Sequence, residues 1–271
     1  MKPVVAASII FIVIALSLFV SFALPSIHLY NYSVSGERVI SASGINVINI
    51  NDPAGSVEIT AWNGSQILVS YVSTSNIFSP VVPTVNASDG AININARPEY
   101  LLFGYSIYVS VKVPSSMAPY IHTNLGAGNI IVQMPYSKSV YLVTSAGNID
   151  ANISDMSQAT LETTTGNIAL WSVKTDNIYA STVTGDVSAN LNGPLIGSYV
   201  FRATTGNINV LIPANSSVSF YIATTTGSIG VSGIPYNMIS NQNQLIKGVA
   251  GSGMASLSET TTSGNVFLRA N

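Results

Sequence analysis

Residues 161–170 read LETTTGNIAL, and the phrase returns along the chain. It is YLVTSAGNID at 141–150, YASTVTGDVS at 179–188, FRATTGNINV at 201–210, YIATTTGSIG at 221–230 and SETTTSGNVF at 258–267. Aligned on glycine, the copies fall at Gly128, Gly147, Gly166, Gly185, Gly206, Gly227 and Gly264, with steps of 19, 19, 19, 21, 21 and 37 residues. An earlier copy, INVININDPAGSVEIT, surrounds Gly55. A period near 20 residues marks a stack in which each copy is one supersecondary unit.

The columns of this alignment define the unit. Two residues after glycine stand Val57, Ile130, Ile149, Ile168, Val187, Ile208, Ile229 and Val266; four after stand Ile59, Val132, Ala151, Leu170, Ala189, Val210, Val231 and Leu268. Five before stand Leu142, Leu161, Ala180, Phe201 and Ile222. Apolar residues alternating with polar ones predict strands with one buried face, so each copy is strand, tight turn, strand. Glycine fits a turn that needs positive φ, and the Asn or Asp that usually follows tolerates turn geometry and bonds to nearby backbone. If coils stack in parallel about 4.8 Å apart, like residues lie over like, and an asparagine ladder is expected. The expected fold is all-β: a β-solenoid-like stack in which each copy buries its neighbour's apolar face and satisfies its backbone groups.

Before the repeats, Val4 to Leu24 run without a charge after Lys2. Twenty-one residues at 1.5 Å rise can cross a bilayer core of about 30 Å. Two readings stand: an uncleaved signal anchor, or a signal peptide cleaved near Ser21-Phe22-Ala23. Either places the rest of the chain outside the cell. The expected organisation is this segment over 1–27, a juxtamembrane linker over 28–39 and a β-repeat ectodomain over 40–271. Within it, 66–116 reads as an N-terminal sheet or capping coils, and 234–256 as a surface loop inserted before the last copy.

Composition narrows function. Charged residues are 7% of the chain and net charge is -2, so there is no basic footprint for nucleic acid. Polarity comes from Ser, Thr, Asn and Tyr, a coat that suits acid or high salt. Without cysteine there are no disulfides or thiolate metal sites. His28 and His122 have no partner at metal-site or triad spacing, and are expected at exposed or edge positions. Acids are scattered, with Asp150 and Asp155 near Asn152 and Asp176 and Asp186 near turns. No acid column repeats from coil to coil, as a paired-carboxylate glycosidase on a β-helix would favour. The chain is therefore expected to be no enzyme and to take no cofactor or metal, with a polysaccharide-active β-helix enzyme left as the third reading.

Three patterns remain as contact candidates. Thr163-x-Thr165, Thr182-x-Thr184 and Thr224-x-Thr226 either fill a narrow corner or, if outward, form a flat binding face. Tyr141, Tyr179 and Tyr221 recur six residues before glycine, opposite the inward column. They are the candidate contact face for glycan or protein, against a plainer reading as β-forming residues that stack across strands. The sequons at Asn31, Asn63, Asn86, Asn152 and Asn215 match what chance gives in so Asn- and Ser/Thr-rich a chain.

The stretch VSVKVPSSMAPYIHTNLGAGNIIVQ, the TxxGxI units after it and the closing TTTSGNVFL resemble the bacterial and archaeal "putative adhesin" family over roughly residues 40–271. The resemblance implies a right-handed solenoid-like fold, a surface or envelope location and no catalytic residues. The expected role is thus a surface adhesin or structural protein tied to the membrane, with glycan or surface proteins as partners. The alternative is a homo-oligomeric filament or envelope layer joined through edge strands.

Overall fold

A computed structural model describes residues 32–52, 54–75, 80–96 and 105–271. These residues form strands and no helix. The first seven strands are β1 (Tyr32–Ser41), β2 (Val47–Asp52), β3 (Gly55–Trp62), β4 (Gln66–Ser75), β5 (Thr84–Ser88), β6 (Ala91–Asn95) and β7 (Tyr105–Pro114). The regular copies follow as β8 (Tyr120–Ala127), β9 (Ile130–Tyr136), β10 (Ser139–Ala146), β11 (Ile149–Thr165), β12 (Ile168–Ser172), β13 (Lys174–Thr184), β14 (Val187–Leu191), β15 (Ser198–Thr205), β16 (Ile208–Ile212), β17 (Val218–Thr226) and β18 (Ile229–Ser232). The last four are β19 (Asn237–Gln242), β20 (Leu245–Ala250), β21 (Ala255–Ser263) and β22 (Val266–Ala270).

Each coil lays one strand on a front face, turns at its glycine and lays a second on a back face. On the front, β6, β2, β8, β10, the second half of β11, β13, β15, β21 and β17 pair in parallel, in that order. On the back the order is β7, β3, β9, the first half of β11, β12, β14, β16, β22 and β18. β11 runs unbroken from the back of one coil to the front of the next. Pairing is in register, so Leu142, Leu161, Ala180 and Phe201 lie over one another and are fully buried. Facing them are Ile149, Ile168, Val187 and Ile208 from the back. Full burial of such a side chain contributes roughly 1.5–3 kcal/mol. Ile229 and Val231, in the end coil, are only half-buried.

The stack does not follow chain order. β21–β22 is threaded between the β15–β16 and β17–β18 coils. At the other end β2–β3 is threaded between β6–β7 and β8–β9. The long gap before Gly264 therefore does not lead to an added outer coil. Nor is 234–256 a surface loop: most of it is the β19–β20 hairpin, which pairs antiparallel with β17. Its residues satisfy the backbone groups that β17 would otherwise leave bare.

Antiparallel strands close most of the rim. β5 covers β6, while β4 covers β7 and is itself covered by β1. The Arg38 guanidinium donates to the Val85 carbonyl and ties the two caps together. At the far end Ile234 is buried and Tyr236 meets Phe220 edge-on at 5.1 Å. Among the described residues β18 pairs with β22 alone. The expected linker over 28–39 is corrected from Tyr32 on, because β1 pairs along its whole length with β4. The apolar segment 1–27, His28 and Asn31 lie outside the described residues; among the described residues no helix is long and apolar enough to cross a membrane.

Candidate functional site

The repeated phrase builds a corner held by three ladders. At Gly166 φ is +150°, and a Cβ there would lie 2.0 Å from the Gly147 carbonyl oxygen of the coil beneath. The same approach recurs at Gly128, Gly147, Gly185, Gly206, Gly227 and Gly264. The residue after glycine sends its side-chain oxygen to the next coil: Asn148, Asn167 and Asp186 donate backbone N–H to Asn129, Asn148 and Asn167 at 2.8–2.9 Å. Asn207 donates to Asp186, Asn265 to Asn207 and Ser228 to Asn265. The third ladder is threonine. Thr144, Thr163, Thr182, Thr224 and Thr261 are buried, and each hydroxyl donates to a glycine carbonyl of the adjoining coil at 2.9–3.0 Å. Thr163, Thr182 and Thr224 thus fill the corner, while Thr165, Thr184 and Thr226 are exposed on its rim.

Tyr141, Tyr179 and Tyr221 all lie on the outward column of the front face. They are not contiguous: Thr160 separates the first two, and Val200 and Ser258 separate the last two. Arg202 stands over the Tyr179 ring at 5.8 Å and Lys247 over Tyr221 at 5.1 Å. Tyr141 instead has His122 beside it, with ring centroids 5.4 Å apart.

That pair borders a polar shelf on the front face. Where β6, β2, β8 and β10 run side by side, one row reads Asn93, Asn49, His122, Tyr141 and the next Asn95, Asn51, Asn124, Val143. Strands lie about 4.8 Å apart and the two rows about 7 Å apart. Asn49 Nδ2 donates to Asn93 Oδ1 at 2.8 Å, which fixes both amides. The open shelf has room for about 270 Å³, and among the described residues no Asp, Glu, Lys or Arg lines it. His122 is exposed, as expected. The asparagines were missed as a group, although VININ at 47–51 and AININ at 91–95 carry the same alternation.

Two carboxyls are buried. Asp52 is raised to about 6 by loss of solvent, against the opposing effect of the Ala54 N–H that donates to Oδ1 at 2.9 Å. Glu259 takes the place of Leu161 or Phe201 in the inward column, with no hydrogen-bond partner on either oxygen, and burial holds its pKa well above the ordinary carboxylate value. Both are sealed from solvent near opposite ends of the stack, which gives a substrate no access to them. Tyr108, which donates to Glu58, is raised to about 12, mainly by that bond. Lys174 and Asp155 form an exposed ion pair at 3.8 Å. Among the described residues no three of His, Asp and Glu converge as metal ligands.

The fold and its ladders define a two-faced parallel β-solenoid with antiparallel caps. The chain belongs to the Toastrack DUF4097 family, whose model matches residues 45–269. No curated protein matches it. Solved structures similar to it include a "putative cell adhesion protein" from Clostridium sporogenes, 12% identical, covering 88% of this chain and 100% of that one at a TM-score of 0.40. A "putative adhesin" from Bacteroides fragilis is 10% identical, covering 88% and 97% at 0.31. A "putative lipid binding protein" from Parabacteroides distasonis is 12% identical, covering 89% and 97% at 0.40.

Proposed function

We propose that this chain is a non-enzymatic, adhesin-like scaffold that stands outside the cell, held to the membrane or released by its N-terminal apolar segment. The observation that carries this reading is the set of ladders along the corner. Glycine carbonyls, asparagine oxygens and threonine hydroxyls join coil to coil and hold a rigid face of neutral side chains. Such a face suits recognition of a surface partner, glycan or protein. Lysines offer a direct test. Lys112, Lys138 and Lys174 are exposed, whereas Lys2 precedes the apolar run. An impermeant amine-reactive label applied to intact cells should reach the three exposed lysines. Labelling only after lysis would overturn the extracellular placement.

A second reading, assembly through edge strands, is favoured by one observation. Among the described residues β18 pairs with β22 alone, which leaves its outer edge without a strand partner, as β5 is left beyond β6. Negative-stain microscopy with light scattering across micromolar concentrations tests it: filaments support assembly, and a monomer throughout refutes it.

A further inference from the structure

We infer that the asparagine shelf of the front face is a binding site for a neutral saccharide. The inference deepens the scaffold reading by naming a ligand class for one part of the exposed face.

Hydrogen-bonding capacity is the first argument. Asparagines of the corner ladder use their oxygens on the next coil. On the shelf, the side-chain amides of Asn51, Asn95 and Asn124 make no hydrogen bond among the described residues. Each offers two N–H donors and a carbonyl acceptor. The N–H and carbonyl oxygen of one amide can together engage two adjacent hydroxyls, each of which both gives and takes a hydrogen bond.

The aromatic edge is the second. Of the three tyrosines on this column, Tyr179 and Tyr221 have cations over their rings, whereas Tyr141 has the His122 ring at its side. A sugar ring presents hydroxyls at its rim and C–H groups on its face. It can lie with the rim on the amides and the face against Tyr141.

Charge and backbone pairing set the class. Among the described residues no Lys or Arg lines the shelf and the exposed His122 is its one possible cation, so a phosphate, sulfate or carboxylate ligand would shed its water for little counter-charge. An extended peptide would seek free backbone groups, yet these strands are paired on both sides. The 270 Å³ of this open shelf lies just below the usual range of ligand pockets, the scale of a short stretch of glycan.

The sugar could belong to another molecule or be attached to this chain, since the exposed sequon Asn86 pairs with Asn93 next to the shelf. The full chain made in a host lacking N-glycosylation removes the second source. It is titrated with neutral hexose and N-acetylhexosamine oligosaccharides, with sialylated and sulfated glycans and an asparagine-rich peptide as comparators. Neutral oligosaccharides should bind with Kd of roughly 1 mM or tighter. Tyr141→Ala and Asn51→Ala should each weaken binding about tenfold or more. Tyr179→Ala on the same column should leave binding unchanged, and all three should keep the parent melting curve. No neutral binding at about 10 mM, preference for a charged glycan or the peptide, or equal loss in Tyr179→Ala would each overturn the assignment. The lysine-labelling result is independent of this one, so failure here leaves the scaffold reading to stand or fall by itself.

Discussion

At the scale of the residue, the corner makes unequal demands. Gly166→Ala would drive a Cβ into the Gly147 carbonyl and force an L side chain to φ +150°. The expected cost is above about 3 kcal/mol, read as loss of the folded baseline in urea. Threonine is graded more gently. Ala203 lies between Thr182 and Thr261 in the register and has no hydroxyl to give the Gly185 carbonyl. Ala203→Thr should therefore add a bond of the kind its neighbours make and stabilise by about 1 kcal/mol; Thr182→Val should cost about 1–3 kcal/mol by orphaning the Gly166 carbonyl. Paired urea titrations would check both signs. Glu259 governs the pH response. Its folded-state pKa lies above 4.5, so the folded chain holds a proton that the unfolded chain releases as pH rises past that value. Stability is thus fullest below about 4.5 and falls as pH climbs toward the folded pKa, with Asp52 adding a loss of the same sign between 3.8 and about 6. Glu259→Gln should raise the melting temperature at pH 7 by about 2–4 °C or more and change little at pH 4. Parallel curves for the two proteins would rule out Glu259 as the source.

Among elements, the β19–β20 hairpin does what the repeats cannot. A repeating coil always exposes a fresh edge, and only a strand of different direction ends the series. The hairpin sits close because residue 248 is glycine: a Cβ there would fall 2.4 Å from the Phe220 ring and 2.7 Å from Tyr236. Gly248→Val should lift the hairpin from β17 and make self-association rise with concentration in light scattering, while the parent shows less. The hairpin was not legible as structure from sequence. Its strands alternate weakly, β19 carries a bulge between Met238 and Ser240, and its pairing partner lies in a repeat that already has one parallel neighbour. The buried columns were legible, because in-register parallel stacking makes one position in a repeat stand for all of them. The inward Glu259 broke that rule and escaped notice, since nothing local marks a carboxylate as buried. The shelf was hidden for another reason. Its asparagines come from 47–51, 91–95 and 120–127, which become neighbours only once the stacking order is known.

Over the whole molecule, that order is the least sequence-encoded property. Gly264 contacts Gly206 on one side and Gly227 on the other, through the same turn chemistry. Coils so alike can exchange places at little local cost, and the caps and connections decide between arrangements. Threading β21–β22 inside the stack also sets a timetable. Segment 218–232 leaves the ribosome before 255–270, yet its final neighbours are the strands of that later segment. Any earlier docking of 218–232 on β15–β16 would have to be undone to admit β21–β22. The molecule is therefore assembled as a keystone arch is, with a late piece locking those already placed. A chain whose synthesis halts after residue 254 would hold an ordered middle and an unlocked end, the form most exposed to proteases and to pairing with another copy.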